Sequence, residues 1–157
     1  VKIDVNNPYF RTKVLTASPE ELRLLLIEGC IRFIRQGRQG LVDKDYEAVY
    51  EGLSQAKAIV MELINSMKPE LAPDLCRSLS GLYTFIYRML IEASFEKDVA
   101  KADEALRLME YERETWMLVM EKLAREREAG AGPAPADGAP DARPEGPAEY
   151  RPLSIQG

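Results

Sequence analysis

Apolar residues recur at helical spacing through most of this chain, and no stretch alternates as a half-buried strand would. Four segments carry the pattern. The first opens at Ser18-Pro19-Glu20-Glu21, which supplies a capping hydroxyl, a proline at the first helical position and an acid at the third. Leu22, Leu25, Leu26, Cys30 and Phe33 then form one stripe, and Leu24, Ile27, Ile31 and Ile34 a second. Glu21, Glu28, Arg32 and Arg35 make the one consistent polar strip, and Gly37 and Gly40 are expected to end the helix. The second helix is predicted from about Asp45 to Met67, where Lys68-Pro69 closes it. Its stripe is Tyr46, Val49, Tyr50, Leu53, Ala56, Val60, Leu63, Ile64 and Met67, with Ile59 and Met61 off it. The third runs from about Asp74 to Phe95 on Leu75, Leu79, Leu82, Ile86, Leu90 and Ala93, with Tyr83, Phe85, Tyr87, Met89 and Ile91 beside or across from that line. The fourth starts after Asp98 and continues to about Glu128 on Ala102, Ala105, Leu106, Met109, Trp116, Val119, Met120 and Leu123. Long amphipathic helices joined by short connections predict an all-α fold, an antiparallel four-helix bundle.

The first three helices carry more apolar surface than a bundle core needs, roughly three positions per heptad. The surplus is Leu24, Ile27, Ile31, Ile59, Met61, Phe85, Tyr87, Met89 and Ile91. Two explanations fit. A thick core, a covering N-terminal segment or a homodimer would hide these residues. Alternatively, they form a groove that receives an amphipathic helix from a partner, a use to which methionine and tyrosine are suited.

Composition divides the chain into an N-terminal arm (1–17), the bundle (18–128) and a tail (129–157). The tail holds six prolines, five glycines and seven alanines, has little to bury and is expected to be disordered, either featureless or ending in a docking peptide at Tyr150-Arg-Pro-Leu-Ser-Ile. Net charge is −5, so no cationic surplus favours nucleic acid. Histidine is absent, which removes Ser-His-Asp and Cys-His catalysis and His-containing metal sites. No phosphate-binding loop, metal-spaced cysteine set or calcium loop occurs, and none of the main stripes has an acid inside it. The expectation is a protein that is not an enzyme and uses no cofactor or metal. Cys30 and Cys76 sit in apolar helical patterns and read as buried reduced thiols. Val1–Asn7 has neither a basic region nor an apolar run of the kind that opens a signal peptide, and no apolar run approaches a membrane span. Together these predict a cytoplasmic protein without membrane insertion.

The segment from Tyr9 through Val14 to Thr16-Ala17-Ser18-Pro19, followed by a leucine-rich helix, resembles the opening of bacterial flagellar secretion chaperones specific for flagellin, the FliS family. That helix usually continues Leu-Tyr-Asp-Gly-Ala-Ile; this chain has Leu26-Ile27-Glu28-Gly29-Cys30-Ile31. Leu82-Tyr83-Thr84-Phe85-Ile86-Tyr87-Arg88-Met89-Leu90-Ile91-Glu92-Ala93 is similar to the family's third helix, and Trp116 falls where the family places a tryptophan in its last. The resemblance spans about residues 9–127 and leaves the tail without a counterpart. It implies a cytoplasmic helical bundle that binds the disordered C-terminal region of flagellin, prevents premature polymerisation and delivers it to the type III export gate. The competing expectation is a helical adaptor or homodimeric module with no export role. The oligomeric expectation is a monomer or weak homodimer.

The resemblance also makes the arm the moving part, covering the groove when empty and engaging the gate's cytoplasmic domain when loaded. Tyr9 matches the family's arm tyrosine, with Val5 and Val14 as further anchors; the isoleucine common three residues before that tyrosine is Asn6 here. Tyr9 serves equally well as a staple of the arm onto the first helix. Client-binding candidates are Tyr50, Ile59, Met61, Leu63, Tyr83, Tyr87 and Ile91, drawn from the second and third helices. For each of them a place in the core fits the pattern as well.

Overall fold

The computed structural model describes residues 7–131. They form five helices: α1 (Pro8–Thr16), α2 (Pro19–Asp43), α3 (Tyr46–Asn65), α4 (Pro73–Glu96) and α5 (Val99–Gly130), with no strand among the described residues. α2 packs on α3 and α5, and α4 packs on the same two helices, so the four long elements close a ring in chain order. This is the expected four-helix bundle. α1 is an added element within the arm, capped by Asn7, which accepts from the Tyr9 N–H, and entered through Pro8. The arm's first six residues and residues 132–157 of the tail lie outside the described residues; 129–131 complete the end of α5.

Local chemistry sets the helix starts. Ser18 and Glu21 form a reciprocal capping box: the Ser18 hydroxyl accepts from the Glu21 N–H at 3.2 Å, and the Glu21 carboxylate accepts from the Ser18 N–H at 2.7 Å. Asp45 and Asp98 cap α3 and α5 through their carboxylates. The turns between α2 and α3 and between α4 and α5 use lysines in the left-handed region, Lys44 and Lys97, both at φ 57°.

Three expectations need correction. Gly37 and Gly40 do not end the helix, which runs on to Asp43. Both are buried where α2 meets α3. A Cβ on Gly52 would lie 2.5 Å from the Gly37 nitrogen, and one on Gly37 would lie 2.5 Å from a Leu53 methyl. Glycine costs roughly 1 kcal/mol inside a helix, and close backbone packing of two helices offsets it here.

The two stripes of α2 also exchange roles. Ile27, Ile31 and Ile34 are core residues, whereas Leu22, Leu25, Leu26 and Phe33 of the other stripe lie toward an open groove; Cys30 is fully buried. On α4 the core line includes Tyr83 in place of Leu75, which is exposed.

Third, α5 does carry an acid inside its stripe: Glu112 is 5% exposed, between Met109 and Trp116. It is tolerated because the Tyr83 hydroxyl donates to it at 2.8 Å while accepting from Arg23 at 2.7 Å. The Arg23 guanidinium lies over the rings of Tyr83 and Trp116, and the Trp116 indole donates to the Glu20 carbonyl at 3.0 Å. This node joins α2, α4 and α5 across the bundle. Burial pushes the Tyr83 phenol well above its ordinary range, so it stays a donor.

Candidate functional site: an apolar groove on α2 and α3

The site follows from what the close α2–α3 contact leaves uncovered. At Gly37 and Gly52 the backbones touch. Toward the N-terminal end of α2 the two helices bear Leu22, Leu25, Leu26, Phe33 and Ile59, which border a groove of about 860 Å³. Phe10 and Val14, four residues apart on α1, line the same groove. The arm therefore lies against it with one apolar edge. Tyr50, Ser54 and Gln55 extend the lining along α3, and Arg32, Glu51 and Glu62 are its charged members.

The opposite flank of α2 has a different character. A cleft of about 530 Å³ beside α5 is bordered by Glu28, Ile31, Arg32, Arg35, Glu110, Arg113 and Glu114. Arg35 pairs with Glu110 at 2.6 Å, Arg113 with Glu28 at 3.2 Å, and Arg38 with Asp103. At the bundle end Arg127 reaches Glu20 at 2.9 Å, and on the other side of α5 Lys101 binds Glu92 and Glu96. Among the described residues every ion pair between two helices involves α5. None joins α3 to a neighbour.

Of the sequence candidates, the groove gathers Tyr50, Ile59 and Val14. Met61 and Ile91 are exposed on α3 and α4, each at 42%, and Tyr87 is half-buried against the core. Leu63 and Tyr83 have no exposed surface and are core residues, so neither is available to a docked segment while the bundle is intact. Tyr83 is held there by its two hydrogen bonds, which Tyr87, one turn along, does not share. Tyr9 is 78% exposed on α1, and Val5 lies outside the described residues. The candidates overlooked Leu22, Leu25, Leu26, Phe33 and Phe10. The signal was present: α2 has two full apolar stripes, and one bundle core can take only one of them.

Both thiols are free. Cys30 is buried, with its Sγ donating to the Ala56 carbonyl at 3.7 Å, and burial pushes its pKa up to about 12; Cys76 is partly exposed. Among the described residues there is no cluster of acids and cysteines suited to a metal, and no helix is long and apolar enough to cross a membrane.

Among the described residues, a ring of four long helices joined by ion pairs, with an apolar groove and a short N-terminal helix laid along it, defines a helical-bundle protein. The comparisons with known proteins agree on which kind. The family model described as flagellar protein FliS matches residues 3–123, and the chain belongs to the FliS family. It is 29% identical over 131 residues to the flagellar secretion chaperone FliS of Bacillus subtilis, covering 82% of this chain and 97% of that protein. The flagellar secretion chaperones FliS of Campylobacter jejuni (28% identity, 70% and 86% covered) and Salmonella typhimurium (27%, 71% and 83%) are similar over most of their lengths.

Proposed function

We propose that this chain is a cytoplasmic flagellar export chaperone. It binds the C-terminal segment of flagellin, keeps it from polymerising early and carries it to the cytoplasmic domain of the export gate. The observation that carries this reading is the groove on α2 and α3: leucines, a phenylalanine and an isoleucine left open on a bundle whose other α2 flank is lined by paired charges. An amphipathic client helix laid there buries its own apolar face, which is then unavailable to other clients. Ordering a disordered segment in this way offsets part of the interaction free energy, a few kcal/mol, and keeps the complex releasable.

In this reading Tyr50 and Ile59 contact the client in the groove, while Met61, Tyr87 and Ile91 extend the contact over α3 and α4. Phe10 and Val14 occupy part of the groove in the free protein, and the client displaces them. Tyr9, already exposed on α1, is then carried outward to meet the gate.

The test is a sizing column with the full chain and flagellin, with and without flagellin's last ~50 residues, a length of about three helices that each span the bundle at 1.5 Å per residue. The expected result is a one-to-one complex with intact flagellin alone. A free protein that runs at twice its mass and gains nothing on adding flagellin would establish the homodimeric module instead. Leu22→Asp, on the groove's rim, is expected to abolish the complex without unfolding the bundle. Hydrogen exchange in α1 should rise on binding; unchanged protection there refutes the displacement of the arm.

A further inference from the structure

The groove's three charged lining residues, Arg32, Glu51 and Glu62, make no ion pair with any described residue. This contrasts with α2's other flank, where Arg35, Arg38 and Glu28 all have partners on α5. The natural partner of Arg32 within its own helix is Glu28, one turn earlier, but Glu28 is taken by Arg113. Arg32 instead lies back over Gly29, its Nη2 3.8 Å from where a Cβ on that glycine would be, with the Ile59 methyl 3.5 Å from the same point. Gly29 and Ile59 both line the groove, so the guanidinium rests on its apolar wall. Arg32 also borders the polar cleft and stands on the seam between the two.

Register fixes the layout along α3. Cys30 reaches the Ala56 carbonyl and Gly29 faces Ile59, which sets Arg32 at a level between Glu51 and Glu62. Those two glutamates are eleven residues apart, about 16 Å along a helix. The groove therefore presents one cation on its α2 edge, flanked along the α3 edge by an anion on each side.

Resting on the reading of this groove as the client site, we propose that Arg32 is a specificity-determining residue that pairs with a carboxylate at the middle of the docked client helix, while Glu51 and Glu62 select for basic residues toward its ends. The occupant is an amphipathic helical segment with its acid turned to α2 and its cations turned to α3. Apolar contact alone accepts many greasy helices; an arginine held on an apolar wall without a partner among the described residues favours a helix that supplies one, in one direction and register. The described part of the arm, residues 7–17, has Arg11 and Lys13 but no acid. Its docking leaves Arg32 unmatched, so a client bearing the carboxylate outcompetes it.

The test uses the full chain and a labelled peptide of flagellin's last ~50 residues, alongside the same peptide with every Asp and Glu changed to Asn and Gln. Affinities are read by fluorescence anisotropy at low and high salt. Wild-type protein is expected to prefer the native peptide by about tenfold at low salt, the scale of one charge-assisted hydrogen bond. Arg32→Met should erase that preference, Arg32→Glu should reverse it, and Arg32→Lys should restore part of it. Melting temperatures of the free variants should match wild type, because no ion pair among the described residues depends on Arg32. Native-peptide binding by Arg32→Met within twofold of wild type overturns the charge assignment and leaves the apolar groove standing. Failure of wild type to bind either peptide overturns the client site itself.

Discussion

α2 builds two seams of opposite kinds. Against α3 it meets backbone to backbone at Gly37 and Gly52, exchanges no ion pair among the described residues, and leaves an apolar groove above the contact. Against α5 it is held by paired charges, Arg35–Glu110, Arg38–Asp103 and Arg113–Glu28, around a polar cleft. The lesson is about which surfaces stay available. Charges that pair within the fold close a surface to strangers. Apolar side chains that exceed the core's capacity leave one open, and the glycines let the helices approach tightly at one end while the larger residues hold a groove at the other.

The comparison breaks most readily at the glycines. Gly52→Ala is expected to cost about 3 kcal/mol, the upper part of the overpacking range, because its Cβ would meet α2 backbone at 2.5 Å. Gly81→Ala, where a Cβ meets nothing within 4 Å, should stabilise by about 0.5–1 kcal/mol. Urea unfolding of both variants checks the pair; equal effects would mean that the α2–α3 contact is not close.

Next in size, Tyr83→Phe should cost about 1–3 kcal/mol by leaving the buried Glu112 without its donor. It should leave flagellin binding by the folded protein near wild type, since Tyr83 is not in the groove. Arg35→Ala on the ion-paired seam is expected to cost about 0.2–1 kcal/mol, and less at high salt.

The effect that is smallest at neutral pH is in the thiols. The Cys30 thiol ionises at about 12 in the folded chain, against an ordinary value of 9.0. The folded state thus keeps a proton that the unfolded state loses, and stability that is complete below pH 9.0 declines as pH rises toward 12. Cys30→Ala should flatten part of that decline in an alkaline unfolding curve. At neutral pH a thiol reagent should modify Cys76 promptly and Cys30 only on unfolding.

The four long helices were legible because their causes are local. The Ser18 capping box, the aspartate caps and Pro19 act within a turn, and helical periodicity averages over a whole segment. The site was legible in part. That helix α2 has two apolar stripes, more than a bundle can bury, can be read from spacing, but which stripe faces inward depends on the rotation of the helix against two neighbours. Spacing alone therefore puts Ile27 and Ile31 in the surplus and leaves Leu22, Leu25, Leu26 and Phe33 out of it.

Tyr83 looked like Tyr87, and only the arrival of Arg23 and Glu112, 60 and 29 residues away in sequence, separates them. For the same reason spacing gave no sign of the buried acid at Glu112. Sequence alone determined the all-helical class, the four long helices and their starts, and an excess of apolar surface, because these depend on neighbours within a few residues. Tertiary structure decided that Gly37 and Gly40 join helices and do not end one, that Tyr83 and Leu63 belong to the core, and that the open groove lies along α2 and α3. Those outcomes depend on what another helix brings to the same point in space.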